Sequence, residues 1–341
     1  MAKILCSGGC GHMGSWLVDY LVDRGHDVSV IDNLSRGKES NLEYAIKKGA
    51  ILHKVDLRSG AKVKKIIEDE KPEVLYVLHA HAAEIQSIFN PVYTTMVNYI
   101  GFLNLLVPAI NEGVKTVVAT TSMAVYGDNP HLPFSETEPA NPEDPYGITK
   151  AATERLLYVY GKEFGFNWVV IRPHNIFGPR QDISNPYRNV LGIWMNRIMQ
   201  GKPPIIYGDG LQKRAFTYID DCTRYIAEAA FTSKAYGEMI NIGSEAVTTL
   251  NYACEKVVEA METDIRPVHG PPRPAEVKNA WCSSDKARML LGYETTTSLK
   301  DGLKKMATWA KSVGPQEFDY WIWDDWEVKR HVPDVWRLKE L

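Results

Sequence analysis

The chain has few features that would tie it to nucleic acid or to a membrane. Its 39 Lys and Arg residues stand against 42 Asp and Glu residues, which gives a formal net charge of -3 with no basic block. A footprint on phosphate backbones is therefore not expected. The opening residues MAKILCSGGCG lack signal-peptide architecture, and no apolar run approaches the roughly 18 residues of a membrane helix. We expect a cytoplasmic protein.

Metal-binding patterns are equally scarce. The cysteines are odd in number and show neither a C-x-x-C pair nor a histidine at zinc spacing; they are Cys6, Cys10, Cys222, Cys254 and Cys282. We expect reduced structural thiols and no bound metal. His79 and His81 in LHAHAA are more typical of loop or backbone-bonded histidines than of metal ligands. Repeats and low-complexity segments are missing too, whereas 45% hydrophobic and 24% charged residues are typical of a folded chain.

What the sequence does contain is a regular alternation of short β-rich runs and longer helical patterns. The β-rich runs are KILCS, DVSVID, AILHKV, EVLYVLH, KTVVATT and NWVVIRP. Strands that alternate with crossover helices predict an α/β fold, a doubly wound parallel Rossmann sheet with helices on both faces. We place this NAD-binding domain at 1–173 with a return segment at 212–243. A smaller mixed α/β substrate lobe takes 174–211 and 244–341, and its aromatic tail is expected to pack on the fold or on a neighbouring subunit.

A glycine loop follows the first strand. SGGCGHMGS places Gly8, Gly11 and Gly14 at G-x-x-G-x-x-G spacing before the first helix. Such glycines permit a tight turn and let a pyrophosphate approach the free N–H groups of the helix. The string alone is weak, but its position between a first strand and a first helix favours a dinucleotide site.

Two acidic residues follow the next strands. Asp32 lies 18 residues after Gly14, where a carboxylate accepts hydrogen bonds from the adenosine ribose hydroxyls and repels a 2′-phosphate. This favours NAD over NADP, although Arg36 could bind the 2′-phosphate of NADP. Asp56 is placed to reach the adenine edge, and a helix N-cap is about as good an interpretation of it.

The spacing Y-x-x-x-K puts Tyr146 and Lys150 on one helix face, but the chain contains this spacing four times. Only the Tyr146 pair opens a helix soon after the fifth strand, and Ser122 stands at the C-terminal end of that strand, where open α/β sheets bind ligands. Position rather than spacing therefore identifies the candidate catalytic group.

Several segments, in this order, resemble the extended short-chain dehydrogenase/reductase family, in its nucleotide-sugar epimerase/dehydratase branch. They are the glycine loop, DNLSRG, HAHAAE, TTSMAVYG, PYGITK, RPHNIFGPRQ and QKRAFTYIDD. The resemblance implies that Tyr146 takes a proton from a sugar hydroxyl, that Ser122 orients it, and that Lys150 favours the phenolate and binds the nicotinamide ribose. The implied NAD contacts are Gly8, Gly11, His12, Met13, Gly14, Asp32, Asn33, Asp56, Leu57, Ala80, Ala82, Asn98, Thr120, Tyr146, Lys150 and Pro173.

The resemblance also implies substrate contacts. Arg214 and Arg273 match arginines that grip the diphosphate, and Asn175 matches a contact nearby. The full expected set is Ser122, Met123, Tyr146, Asn175, Arg188, Asn189, Val190, Ile206, Tyr207, Arg214, Arg273 and Glu276. Second-lobe packing is an equally good interpretation of Asn189, Val190, Ile206 and Tyr207. His12, and His81 in HAHAA where the family has HLAA, depart from the usual pattern and could reshape the sugar pocket.

The residue after Ser122 narrows the choice among the reactions of this family. Dehydratases of this family carry an Asp-Glu pair at positions 122 and 123, decarboxylating relatives a Glu in this motif, and 3,5-epimerases a Cys. Met123 supplies no exchangeable proton. A UDP-sugar 4-epimerase of the UDP-glucose/UDP-galactose type needs none of these groups and is expected here. A uronate 4-epimerase with Arg188 on the carboxylate, an N-acetylhexosamine substrate, a net dehydrogenase and a non-catalytic NAD sensor remain as alternatives. The family also implies a homodimer built on two apolar helices.

Overall fold

The centre of the molecule is a seven-stranded parallel sheet. The computed structural model describes residues 1–272, 277–320, 326–332 and 334–339. The strands of this part of the chain are β1 (Lys3–Ser7), β2 (Asp27–Asp32), β3 (Ile51–Lys54), β4 (Val74–Val77), β5 (Thr116–Thr120), β6 (Asn167–Pro173), β7 (Ile176–Phe177), β8 (Ile205–Tyr207), β9 (Lys213–Ala215), β10 (Thr217–Tyr218), β11 (Glu238–Ile242), β12 (Val247–Thr249), β13 (Val268–Gly270) and β14 (Asn279–Ala280).

The sheet order is β11-β6-β5-β4-β1-β2-β3, and every neighbouring pair is parallel. From β1 the chain first builds outward to β2 and β3, then returns to place β4 on the other side of β1. This reversal opens a crevice at the carboxyl ends of β1 and β4, which is where open α/β sheets bind ligands. The predicted doubly wound parallel fold is confirmed.

Helices cover both faces of the sheet and build the second lobe. They are α1 (His12–Asp23), α2 (Glu43–Lys47), α3 (Gly60–Glu70), α4 (Glu84–Phe89), α5 (Pro91–Thr95), α6 (Gly101–Asn111), α7 (Pro145–Phe164), α8 (Val190–Met199), α9 (Ile219–Ala229), α10 (Leu250–Met261), α11 (Asp285–Leu291), α12 (Leu299–Val313) and α13 (Asp334–Arg337).

The sequence signals of α7 show why it forms where it does. The side chain of Asp144 accepts a hydrogen bond from the backbone N–H of Gly147, and Pro145 occupies the first helical position. At the other end Gly165 adopts a left-handed conformation with φ +73. An acidic N-cap, a proline that needs no helical donor and a glycine stop together fix both ends of the helix.

The expectation that the chain has no long apolar helical segment needs a correction. Helices α5 and α6 are joined by a π-helical turn, Met96–Ile100, so that Pro91–Asn111 forms a continuous helical segment of 21 residues, and an 18-residue stretch of it has a mean hydropathy of 1.2. By length and composition alone this segment could span a membrane, which the sequence expectation of no such run missed. Within the fold, Phe102, Leu105 and Leu106 are fully buried against the sheet and α3.

The sheet interior follows the rule for parallel strands. Every residue of β5, TVVAT, is buried, because helices cover the sheet from both sides. On one face the core continues without a break into the second lobe, where Trp194 of α8 is 1% exposed and donates its indole N–H to the Ile205 carbonyl at 2.7 Å. Because the two parts share a core, the crevice between them has firm walls.

The described part of the aromatic tail packs on the fold. Trp336 is buried between Phe89 and Tyr187, and its ring lies edge-on to both. The carboxylate of Glu327 accepts the backbone N–H groups of Val92 and Tyr93 at 2.7 and 2.8 Å, which satisfies two donors of the first turn of α5. The tail thus joins α4 and α5 to the loop that precedes α8.

Candidate active site

A cavity of about 570 Å³ occupies the crevice at the carboxyl ends of the strands. The glycine loop and the ends of β2, β4, β5 and β6 line one side, and the loop before α8, β8 and β9 line the other. This volume lies within the range of small-molecule and cofactor sites. The cavity is thus the place to look for each residue that the sequence singled out.

The glycine loop forms a cradle that a side chain would fill. A Cβ built on Gly14 would lie 2.1 Å from the carbonyl oxygen of Gly8, and Gly8 itself has φ +73. Gly11 is the N-cap of α1 and offers no side-chain cap, so the first-turn N–H groups are left for another acceptor. These residues fit the pyrophosphate of a dinucleotide.

Asp32 lies beside this loop, and backbone hydrogen bonds fix its carboxylate. Its side chain is 8% exposed and accepts the N–H groups of Cys10 and Leu34 at 2.9 and 2.8 Å. Burial raises the pKa of this carboxyl, and the two backbone hydrogen bonds oppose that rise. Each carboxylate oxygen keeps a further lone pair for ribose hydroxyls.

The guanidinium of Arg36, which could bind a 2′-phosphate, is paired with carboxylates of the protein. Its guanidinium forms ion pairs with Asp182 and Asp319, both at 3.4 Å. A 2′-phosphate would compete with two carboxylates for this cation and would meet Asp32 as well, so the arrangement favours NAD. Neither ion pair could be read from the sequence, because the three residues lie far apart in it.

The adenine end contains a small polar network. The carboxylate of Asp56 receives hydrogen bonds from Asn33 at 2.9 Å and from Arg58 at 2.8 Å, and Arg58 holds the pKa of Asp56 well below its usual range. Asp56 is not the N-cap of α3, which is Ser59. Its carboxylate instead lines the cavity, as do Asn33 and Leu57.

The three proposed catalytic side chains meet at the middle of the cavity. The Lys150 ammonium donates to the Thr120 carbonyl at 2.9 Å and lies 5.8 Å from the centre of the Tyr146 ring. Ser122 Oγ accepts the N–H of Ala124 at 3.1 Å, and its interaction with the phenol lowers the pKa of Tyr146. Strand β5 ends at Thr120, whose carbonyl holds Lys150, and Ser122 follows two residues later.

Burial is the main influence on the pKa values of Tyr146 and Lys150. It raises the pKa of Tyr146 to about 12, while the charge of Arg188 and the Ser122 interaction pull it down. Burial also lowers the pKa of Lys150 to about 8, opposed by Glu154 one turn further along α7. Among the main charges that act on the phenol, Arg188 is the one that lowers its pKa.

The remaining predicted residues divide into two groups. Those that line the cavity include His12, Met13, Ala80, Ala82, Thr120, Met123, Pro173, Asn175, Arg188, Asn189, Val190, Tyr207 and Arg214. Arg214 currently donates to backbone carbonyls, among them that of Val277. Asn189 caps α8, and its amide also donates to the Ile176 carbonyl at 2.8 Å. These bonds are compatible with a packing role for Asn189 as well as with a substrate contact.

Two predicted contacts do not line the cavity. Ile206 is 1% exposed and faces the core, because its strand neighbours Ile205 and Tyr207 point the other way into the cavity. Asn98 is 4% exposed and lies behind the loop that follows β4, where its amide bonds the backbone of His81 on both sides. Arg273 and Glu276 lie outside the described residues.

The sequence analysis missed Glu84. This residue begins α4 directly after HAHAA, lines the cavity, and its charge acts on Tyr146. Its signal was its position, since it follows the loop that leaves the carboxyl end of β4, the edge at which open α/β sheets bind ligands. Over residues 1–272 and the shorter described stretches, no group of three or more His, Cys, Asp or Glu side chains could hold a metal ion.

Comparison with known proteins agrees with this geometry. Residues 4–243 match the model of the NAD dependent epimerase/dehydratase family. A UDP-glucose 4-epimerase from Thermotoga maritima, solved with UDP-glucose, is 34% identical, with a TM-score of 0.86 over 91% of this chain and 99% of that one. A UDP-N-acetylglucosamine 4-epimerase from Methanobrevibacter ruminantium is 30% identical, with the same TM-score over 92% and 99%.

A third relative carries a different sugar specificity. The UDP-glucuronate 4-epimerase of Thermodesulfobacterium geofontis is 30% identical over 91% of this chain and 97% of its own length. Relatives named for a neutral, an N-acetylated and an acidic sugar are thus all 30–34% identical to this chain, and similarity alone does not choose among them. The family match, these identities and the glycine cradle beside Asp32 lead to one conclusion: the chain belongs to the NAD-dependent epimerase/dehydratase family.

Proposed function

We propose that the protein is a UDP-sugar 4-epimerase of the UDP-glucose/UDP-galactose type. The observation that carries this proposal is the meeting of Ser122, Tyr146 and Lys150 in one cavity, with the thioether of Met123 beside Ser122. A thioether exchanges no proton. The cavity therefore has the groups for oxidation at C4 and lacks the acid that the dehydratases of the family carry at position 123.

In this proposal NAD, when bound, accepts a hydride from C4 of the sugar and returns it. Tyr146 takes the proton of the C4 hydroxyl, and Ser122 donates a hydrogen bond that holds the sugar oxygen. Lys150, whose pKa is about 8, is mostly protonated at neutral pH and adds a positive charge beside the phenol. Arg188 adds a second one.

Inversion at C4 requires mainly enough space in the cavity for the sugar to turn over. A planar 4-keto sugar must turn over so that hydride returns to its opposite face, and the cavity of about 570 Å³ is of the size that binds such ligands. Arg214 and the N-terminus of α1 lie where they can hold the phosphates of sugar nucleotide and cofactor, respectively. The reaction with the fewest extra groups fits best.

The second candidate is a UDP-glucuronate 4-epimerase. Arg188 lines the cavity and, among the residues that the structure describes, makes no hydrogen bond or ion pair. An unpaired arginine near the reacting centre is suited to a sugar carboxylate. This observation keeps the acidic sugar as an alternative.

A substrate panel tests the proposal. The protein is incubated with UDP-galactose, UDP-glucuronate and UDP-N-acetylglucosamine in D2O, and products are followed by NMR and by nicotinamide absorbance. We expect inversion of UDP-galactose at C4, no net NADH and no deuterium on the sugar carbons. Steady NADH formation would indicate a dehydrogenase, deuterium at C3 or C5 would indicate further chemistry on the keto sugar, and no turnover would favour a sensor.

We further propose that the protein is a cytoplasmic homodimer. Exposed apolar side chains on the 91–111 helix and on α7 support the dimer, among them Val92, Val107, Ile148 and Phe164, which are 46–64% exposed. Two such helices from each of two copies can bury these faces as a four-helix bundle. Sedimentation of the panel preparation as a monomer would contradict the dimer.

A further inference from the structure

Two unpaired charges of opposite sign face the reacting centre. Glu84 comes from the sheet side of the cavity and Arg188 from the second lobe, and both line it and are exposed to it. Neither side chain forms a hydrogen bond or an ion pair with any residue in the described ranges. Both charges act on Tyr146, and they act on each other.

The backbone around each charge is fixed. Ser87 Oγ donates to the Glu84 carbonyl at 2.5 Å and accepts the N–H of Tyr146 at 3.0 Å, so one hydroxyl ties Glu84 to the tyrosine. On the other side, Tyr187 packs edge-on against Trp336 with ring centres 5.1 Å apart, and Asn189 caps α8. Arg188 stands between these two anchored neighbours.

Other charges near this point already have partners. Asp144 also acts on Tyr146, but its carboxylate caps α7 through the Gly147 N–H at 2.8 Å. Lys150 donates to the Thr120 carbonyl. Glu84 and Arg188 therefore keep free hydrogen-bonding capacity at the sugar end of the cavity.

The chemistry of this pair differs from that of an arginine alone. A sugar hydroxyl can accept from Arg188 and donate to Glu84, so a neutral hexose satisfies both. A carboxylate on C5 would gain from Arg188 but would bring a second negative charge close to Glu84. Two like charges brought together there are costly, because the surrounding protein screens them poorly and the single guanidinium of Arg188 does not offset both carboxylates.

We infer that Glu84, acting with Arg188, selects a neutral hexose over a hexuronate in this site. The inference rests on the proposed function for the identity of the ligand as a UDP-sugar. It assigns to Glu84 a binding role: its carboxylate accepts hydrogen bonds from sugar hydroxyls and repels an acidic sugar.

Binding measurements test the inference directly. The dissociation constants of UDP-glucose and UDP-glucuronate are measured by calorimetry on the NAD-loaded protein, for wild type and for Glu84→Gln. Wild type is expected to prefer UDP-glucose. Removing one like charge that would lie beside the sugar carboxylate should lower that preference by about tenfold or more in Glu84→Gln.

Two variants serve as matched controls. Glu84→Asp retains the charge and should keep most of the wild-type preference. Glu143→Gln removes a carboxylate that also borders the cavity but is not among the main charges that act on Tyr146, and it should leave the preference within about twofold. Thermal unfolding checks that all variants are folded.

The possible outcomes separate the two proposals. A wild-type preference for UDP-glucuronate, a ratio unchanged in Glu84→Gln, or an equal change in Glu143→Gln would each overturn the inference. If the binding ratio responds as expected but no UDP-sugar is inverted, the role of Glu84 stands and the proposed epimerase activity fails.

Discussion

Two polar clusters lie on the same face of α7, and they differ in how their charges are satisfied. In the first, Glu154 accepts hydrogen bonds from both ends of the Arg172 guanidinium at 2.7 and 2.8 Å and from Thr121 at 2.7 Å. Arg172 also donates to Tyr126, which in turn donates to Asn241. Both charged side chains are 4% exposed, and every member of this cluster has its partners.

The second cluster begins one turn earlier, at Lys150 and Tyr146, and it is incomplete. Lys150 bonds a backbone carbonyl, whereas within the described ranges Glu84 and Arg188 have no hydrogen-bonding or ion-pair partner. Buried polar groups are normally paired, so a complete network holds structure together and an incomplete one in a cavity has capacity for a ligand. The contrast separates the residues that join β5, β6 and β11 to α7 from the residues to which we assign a role on the substrate.

The largest expected effect comes from the incomplete cluster. Tyr146→Phe removes the proton acceptor but keeps the ring, so turnover of the sugar nucleotide should fall by about 10³-fold or more. NAD affinity should change by less than about twofold, because the ring and Lys150 remain. Steady-state kinetics and a fluorescence titration with NAD measure both.

Tyr158→Phe is the matched control. Tyr158 also stands four residues before a lysine on α7, but its side chain is 43% exposed on the outer surface. Its variant should keep wild-type kinetics. Retention of full turnover by Tyr146→Phe would show that another group removes the proton.

The complete cluster should respond in stability. Glu154→Ala leaves the Arg172 guanidinium buried without its carboxylate, so the free energy of unfolding should fall by about 3–5 kcal/mol. Glu68→Ala is the control, since it breaks the Lys64–Glu68 pair on the surface of α3, at 3.6 Å with side chains 64% and 42% exposed. That loss should be about 0.5 kcal/mol or less. Similar urea midpoints for the two variants would remove the distinction between paired and surface charges.

The difference between the clusters also explains what the sequence could reveal. The glycine loop, Asp32, Ser122 and the Tyr146–Lys150 pair belong to strand–turn–helix units, in which local order along the chain already determines position. The parallel sheet follows from the same alternation. Sequence patterns therefore predicted the fold and the middle of the site.

Features that depend on distant parts of the chain were not predicted. The ion pairs of Arg36 involve Asp182 and Asp319, and the position of Glu84 opposite Arg188 depends on how the second lobe meets the sheet. Ile206 shows a different limit: a short strand has no surrounding pattern to tell which of two alternating faces lines the cavity. Contacts between the two lobes, and the face of a short strand that lines the cavity, can be determined only from the three-dimensional structure.

The smallest expected effect concerns the neutral side chains of the cavity wall. His79 is 9% exposed, its Nδ1 lies 2.8 Å from Ser7 Oγ, and burial together with the charge of Lys150 lowers its pKa to about 3. Between pH 6.5 and 3 the unfolded chain therefore binds a proton at this position that the folded chain does not. Stability due to this residue is lost as pH falls through 6.5, by about 2 kcal/mol at pH 5.

Urea unfolding of the NAD-free protein at pH 7, 6 and 5 measures this loss. His79→Asn keeps an amide near Ser7 but cannot take up a proton, so its stability should fall less steeply with acid than that of wild type. His131→Asn, at a side chain 74% exposed, should follow the wild-type profile. If His79→Asn also follows it, His79 is already protonated or solvated in the folded state, and the predicted loss of stability at this residue would be contradicted.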